Sequence, residues 1–145
     1  MGKSVPAIKL SAGSRRVMES LADAIIPSGE PGRPGALDLG LVDNLMEWLG
    51  SLPGGGAPRG FVFICWMWEF SPIWSGRFAR FSSLSLEDRI CILESWEHSR
   101  LTPRRLALFG LKALLMVAFY NNPEVWPSIG YQEGCLSEPP LEPKP

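Results

Sequence analysis

Histidine and cysteine are the side chains whose chemistry could make this sequence an enzyme or a metal protein. His98 is the only histidine, so a Ser-His-Asp or Cys-His device and most metal sites would have to use it. It falls at the predicted end of a helix, where a surface or C-capping role is the simplest interpretation. The cysteines lie far apart and form no CxxC pair, at Cys65, Cys91 and Cys135. We therefore expect no catalytic residue, metal site or disulfide framework, and we expect Cys65 and Cys91, which lie in apolar runs, to be small buried side chains.

The stretch Gly54-Gly55-Gly56 is the glycine-rich sequence that could suggest a phosphate-binding loop. Such a loop follows a strand and opens a helix, with glycines at fixed spacing. This one follows a predicted helix and matches neither the GxGxxG nor the GxxxxGK[ST] pattern. We interpret it as a linker and expect the chain to bind no flavin and no other cofactor.

Length and composition favour one globular domain that binds another protein. The chain has 145 residues, of which 46% are hydrophobic and 20% charged, which allows a core without disulfides. Its net charge of −1 gives no electrostatic case for nucleic acid. Ten of the fourteen basic residues are arginine, and six residues are tryptophan, both of which are enriched at protein interfaces.

Three arginines are grouped around one predicted helix–helix turn, at Arg100, Arg104 and Arg105. The last two occupy the first turn of a helix, where the dipole disfavours positive charge unless acidic residues compensate. The acids could belong to another chain, in which case the arginines form a docking surface. They could also be internal, in which case the arginines brace the fold. The internal candidates are Glu94, Glu97 and Glu124.

Residues 61–70 (FVFICWMWEF) form the segment whose secondary structure is most ambiguous. Their β-branched and aromatic content suits a strand, but the sequence offers no second strand for pairing, so we predict a helix. The segment is far shorter than the roughly 20 apolar residues of a membrane span, and we expect no transmembrane segment in the chain. Helical spacing would distribute Trp66 and Trp68, with Trp74 nearby, over more than one face. Some of these tryptophans could therefore face outward and contact a partner.

Periodicity and caps predict an all-α fold of about six helices in a domain of residues 1–131. The clearest start is Ser85, whose hydroxyl can accept from the Asp88 N–H while the Asp88 carboxylate reaches back to the Ser85 N–H. The Pro- and Glu-rich residues 132–145 are predicted to be a disordered tail. The predicted helices lie near residues 14–26, 36–49, 59–70, 85–98, 103–120 and 123–128.

The N-terminal sequence predicts a cytoplasmic protein. Residues 1–10 lack an apolar signal core, and the apparent twin-arginine pair Arg15-Arg16 is followed by Glu19 and Asp23, which interrupt the apolar stretch that a signal needs. Export together with a partner that carries its own signal remains an alternative.

An ordered set of short motifs between residues 81 and 131 resembles the gluconate 2-dehydrogenase subunit 3 family. The motifs are Leu84-Ser85, Arg89, Trp96 with Ser99, Arg104-Arg105, Tyr120, Pro123-Glu124 and Ile129-Gly130-Tyr131. Members of that family resemble small partners of large flavin-dependent oxidoreductases of the glucose-methanol-choline class. The resemblance implies an FAD-dependent large subunit as the partner and catalyst, with a cytochrome c subunit as a further candidate component.

The sequence thus supports two hypotheses of different classes, and the missing catalytic groups make a third, an enzyme in its own right, the weakest. The first is a non-catalytic accessory subunit that binds and stabilises a flavin-dependent dehydrogenase or oxidase acting on alcohols or sugars. The second is a free-standing helical module that binds an apolar ligand or a membrane surface. For the first hypothesis, the candidate partner-binding residues are Trp66, Trp68, Trp74, Arg100, Arg104, Arg105 and Tyr131.

Overall fold

The protein is all-α, as predicted. The computed structural model describes residues 9–51 and 57–131, and it contains no strand within these ranges. The α-helices are α1 (Ala12–Ile25), α2 (Leu41–Ser51), α3 (Ala57–Glu69), α4 (Leu86–Glu97) and α5 (Thr102–Tyr120). Short 3₁₀ helices span Ser71–Ser75, Phe81–Ser83 and Trp126–Ile129. The predicted tail 132–145 and the Gly54-Gly55-Gly56 loop lie outside the described residues.

Two of the predicted helices are shorter than expected. The second begins at Leu41 rather than near residue 36, because the preceding residues form turns that end at Gly40, whose φ of +57° is outside the helical region. The Asp38 carboxylate stabilises these turns by accepting from the backbone N–H groups of Gly29 and Gly35. The last predicted helix, residues 123–128, is the 3₁₀ helix Trp126–Ile129, which ends at Gly130 in the left-handed conformation.

Helix α1 lies at the centre of the fold. It packs against α2, α3, α4 and the 3₁₀ turn Phe81–Ser83, while α5 covers α2 and α4 from the other side. The side chains of Met18, Leu21 and Ala22 on α1 are completely buried. On α5, Leu108, Leu111 and Leu115 face the same core. Among the described residues, no element packs on the outer faces of α3 and α5.

Polar side chains fix the connection between α3 and α4. Ser82 donates from its backbone N–H and its hydroxyl to the two carboxylate oxygens of Glu69, at 3.0 and 2.7 Å. Arg89 on α4 donates from Nη2 to the carbonyl oxygen of Ser82 at 3.1 Å. The predicted cap is also present, since the Asp88 N–H donates to the Ser85 hydroxyl at 3.2 Å. The reciprocal bond differs from the prediction: the Asp88 carboxylate accepts from the Ser85 hydroxyl rather than from its backbone N–H.

Three surface ion pairs join separate elements. Arg15 on α1 binds Asp43 on α2 through two hydrogen bonds of 2.6 and 2.9 Å. Arg77 binds Asp88 at the start of α4, and Lys112 on α5 binds Glu97 on α4 at 2.9 Å. In each pair the hydrogen bond from the basic side chain is the largest influence on the carboxyl group, and it lowers the pKa.

These pairs predict that the protein loses stability in acid. A carboxyl group whose pKa is lower in the folded state stabilises the fold above its unfolded-state pKa, and this contribution is lost as the pH falls through the folded-state pKa. We expect the unfolding temperature to be nearly constant between pH 7 and about 5 and to fall below about pH 4.5, measured by circular dichroism. Asp43→Asn should have a lower unfolding temperature at pH 7 and a shallower fall in acid. An unfolding temperature that rises between pH 5 and 3 would contradict this account.

Candidate partner-binding surface

A cluster of aromatic rings joins α3, α4 and the 3₁₀ helix Ser71–Ser75. The Trp68 and Trp96 ring centroids are 4.4 Å apart, and Trp74 stacks on Trp96 at 5.7 Å. Trp68 and Trp96 are buried, whereas Trp74 is half exposed. The indole N–H groups of Trp68 and Trp96 and the hydroxyl of Ser71 are buried without a hydrogen-bond partner among the described residues. The cluster is therefore held by ring packing rather than by polar contacts.

Arg104 extends the aromatic cluster to the surface. Its guanidinium carbon lies 5.7 Å from the ring centroids of both Trp74 and Trp96. Contacts of this kind contribute about 0.5–1 kcal/mol at exposed sites. Because Trp96 is on α4 and Trp74 precedes it, the contact fixes the first turn of α5 against both elements. The guanidinium is thereby oriented before any partner binds.

None of Arg100, Arg104 and Arg105 forms an ion pair with an acidic residue in the described part of the chain. The internal alternative named three glutamates as examples of an acidic partner. Of these, Glu97 binds Lys112, and Glu94 and Glu124 make no ion pair within the described ranges. The described residues therefore supply none of these arginines with an internal acidic partner.

A continuous apolar groove runs between α3 and α5. A hollow of about 210 Å³ is bounded by Ile64 and Met67 on one side and by Ala107, Gly110 and Leu114 on the other. A second hollow of about 300 Å³ shares Met67 and Ala107 with the first and extends to Arg104. The groove is therefore apolar along its length and positively charged at one end.

The two helices that form the groove also expose large apolar side chains, of which Leu106 lines the groove itself. These side chains are between 52% and 71% exposed, namely Val62, Phe63, Trp66, Leu106 and Phe109. We refer to the groove and these five residues as the α3/α5 face. Monomeric soluble proteins rarely expose contiguous apolar surface of this kind unless it binds something.

The structure brings together only part of the predicted partner-binding set. Trp66 and Trp74 are exposed, but Trp68 is completely buried on the opposite side of α3, so the prediction is wrong for Trp68. Tyr131 is half exposed and packs on Trp126, whose indole N–H donates to the Tyr120 carbonyl oxygen at 2.9 Å. Tyr131 therefore lies beyond the C-terminus of α5. The length of α5, about 28 Å, separates that end from the N-terminal turn that carries the arginines.

Sequence reasoning missed the contribution of α5 to this surface. Leu106, Phe109 and Gly110 were not predicted, although α5 has apolar residues on every side and only one charge after its first turn. A helix that is apolar on every side is either completely buried or partnered. That signal was present in the sequence and would have identified this helix.

Another hollow lies elsewhere, between α2 and the C-terminal end of α5. It has a volume of about 540 Å³, and its lining mixes amides, carboxylates and apolar groups, including Asn44, Glu47, Asn121 and Glu124. It borders Ser51, where the described part of α2 ends. No residue of the predicted partner-binding set lines it.

Groups that could support catalysis or metal binding are dispersed. His98 is exposed at the C-cap of α4, as predicted. Cys65 is buried, also as predicted, and burial raises the pKa of its thiol to about 11. The same prediction is wrong for Cys91, which lies on the solvent side of α4. Within the described ranges no three His, Cys, Asp or Glu residues come close enough to hold a metal ion.

The described part of the chain thus defines an all-α domain with an apolar face and uncompensated arginines at one end of it. None of its helices combines the length and continuous apolar sequence needed to cross a bilayer. A scan against protein-family models gave no match, and neither did comparisons with curated proteins and with solved structures. The resemblance to gluconate 2-dehydrogenase subunit 3 therefore stands on its sequence motifs and stays a prediction.

Proposed function

We propose that the protein is a non-catalytic accessory subunit. It binds and stabilises a flavin-dependent dehydrogenase or oxidase of the glucose-methanol-choline class that acts on alcohols or sugars. In this proposal the larger partner carries the FAD and performs the chemistry, a cytochrome c subunit could complete the assembly, and the two chains associate in the cytoplasm. The class of partner comes from the motif resemblance, and the α3/α5 face supplies the physical support for a binding role.

The single observation that carries the proposal is the exposure of Phe63, Trp66 and Phe109 on adjacent helices. Burial of apolar surface contributes about 25 cal/mol per Å², so leaving three large side chains in water is unfavourable for an isolated chain. Aromatic residues and arginine are also the side chains that contribute most binding energy at protein interfaces. Arg104 lies at one end of the groove, which completes the pattern.

A helical module that binds an apolar ligand is the second candidate. The specific observation in its favour is the apolar groove, whose two hollows of about 210 and 300 Å³ together approach the size of small-molecule sites. The exposed side chains beside the groove favour the accessory-subunit proposal, because a small ligand would leave Phe63 and Phe109 in water.

Co-expression tests the proposed function. The chain is expressed alone and beside its candidate FAD-dependent oxidoreductase, and both preparations are examined by size-exclusion chromatography and absorbance. We expect the isolated chain to self-associate and to be colourless, because its apolar face is exposed. We expect it to co-purify with the yellow flavoprotein when both are present. A stable monomer that itself carries flavin would refute the proposal.

A further inference from the structure

We propose that the groove between α3 and α5 receives an amphipathic helix of the flavoprotein partner, about three turns long, with a carboxylate at the end that faces Arg104. This inference rests on the proposed function and specifies the part of the partner that binds. It differs from the resemblance, which names a class of partner but no contact surface.

The first argument is the position of Gly110 in the middle of α5. Glycine destabilises a helix interior relative to alanine, so its presence needs a reason. Internal packing does not supply one, because a Cβ at Gly110 would have no atom within 4 Å. Gly110 and Ala107 instead line the groove, where their small size leaves the α5 backbone accessible. Glycine at such a site permits the close approach of another backbone, and here that backbone must come from outside the described core.

The second argument identifies the occupant as a helix. The narrower hollow is lined by apolar side chains, a glycine and Trp68, so its side chains offer an occupant's backbone no acceptor and at most one donor, the indole N–H. A segment buried there must satisfy its own N–H and C=O groups, which a helix does and an extended strand does not. From Arg104 to Leu114 the groove follows eleven residues of α5, a rise of about 15 Å or about three helical turns.

The third argument is charge complementarity at one end of the groove. Arg104 lines the wider hollow, its guanidinium is oriented by two indole rings, and it makes no ion pair with an acidic residue in the described part of the chain. A carboxylate that arrives there can accept hydrogen bonds from the guanidinium. Once an apolar helix has displaced water from the groove, that interaction strengthens. The occupant therefore carries an Asp or Glu at this end.

Site-specific photocross-linking tests the location. p-Benzoylphenylalanine replaces Leu106 at the groove or, as a control, Glu47 beside the 540 Å³ hollow on α2. Each variant is co-purified with the candidate FAD-dependent oxidoreductase and irradiated, and its cross-links are mapped by mass spectrometry. We expect position 106 to label a helical segment of the flavoprotein with an acidic residue at one end, and position 47 to label nothing.

The outcomes separate the two proposals. Absence of any complex with the flavoprotein would refute the proposed function. A complex whose cross-links form at position 47, or whose position 106 labels residues 132–145, a second copy of the chain or lipid, would refute only the groove assignment. In both cases the result is decisive, because the complex is detected by co-purification independently of the cross-link.

Substitutions at Gly110 test the close approach. Gly110→Leu places a side chain in open groove space, so we expect a folded protein whose affinity for the flavoprotein is reduced about tenfold or more. Gly13→Leu is the matched control, because Gly13 is also a helical glycine with no atom near its Cβ but lies in the first turn of α1. Equal affinities of Gly110→Leu and Gly13→Leu would overturn the inference.

Charge reversal tests the contact at Arg104. Arg104→Glu should weaken binding about tenfold or more, and Lys at the cross-linked acidic position of the flavoprotein should restore it. A merely structural role for Arg104 would lower the unfolding temperature of the isolated chain and would not be rescued by a change in the partner. That result would overturn the charge contact.

Discussion

Replacing Trp96 by alanine is expected to lower the free energy of unfolding by about 3–5 kcal/mol, which is a large part of the total stability of a domain of this size. The Trp96 side chain is only 1% exposed. Its ring contacts Trp68 from α3, Trp74 from the intervening 3₁₀ helix and the Arg104 guanidinium from α5. Alanine would leave a cavity where these elements meet. Urea unfolding monitored by circular dichroism measures the loss.

The control for this prediction is Trp66→Ala, which removes an equally large side chain from the surface. Trp66 is 59% exposed and contacts Phe63 and Phe70 on its own side of α3. We expect that variant to lose less than about 1 kcal/mol. Equal losses in the two variants would show that the Trp68–Trp96 cluster is not part of the stabilising core.

Local sequence was sufficient to predict where most of the helices begin and end. Ser85 caps α4 through the N–H of a residue three positions away, and Pro123 follows the end of α5, so both signals act within one turn. The predicted start of α2 was wrong for a physical reason. It depends on Asp38, which accepts from the N–H of Gly29, nine residues earlier. Such a loop contact leaves no local pattern in the sequence.

The orientation of the tryptophans on α3 could not be predicted. Trp66 and Trp68 are two residues apart in a helix that has apolar residues on every side, so the hydrophobic pattern does not distinguish the buried side from the exposed one. The distinction comes from α1 and α4, which pack against the side that carries Cys65 and Trp68. Only the tertiary arrangement shows that Trp66 faces solvent.

The motif residues divide into two groups that have different physical roles. Ser85 caps α4, Arg89 holds the connection between α3 and α4, and Trp96 is in the core, so these three report the fold. Arg104 and Arg105 make no ion pair with an acidic residue in the described ranges, so they are the part of the motif that is available for binding. The resemblance in the first group therefore indicates a similar fold. The resemblance in the second group is the part that relates to the binding of a partner.

The largest effect on binding is expected from charged substitutions on the α3/α5 face. We predict that combining Phe63→Glu, Trp66→Glu and Phe109→Glu lowers the affinity for the flavoprotein by about 10⁴-fold, because aromatic hot-spot residues contribute about 2 kcal/mol or more each. All three side chains are more than half exposed, so the fold should be retained. The isolated variant should also become monomeric, since the substitutions remove the apolar surface through which it self-associates. Isothermal titration calorimetry and size-exclusion chromatography measure the two effects.

A matched triple variant distinguishes the α3/α5 face from apolar surface in general. Leu37, Phe78 and Leu86 are between 39% and 97% exposed and lie outside that face. Their simultaneous replacement by glutamate adds the same charge and removes a comparable amount of apolar surface, so it should leave the affinity within about threefold. If this control weakens binding as much as the α3/α5 variant does, the effect is one of net charge and the face is not the interface. If only the α3/α5 variant loses binding and both remain folded, the partner contacts α3 and α5, where the structure leaves aromatic side chains exposed.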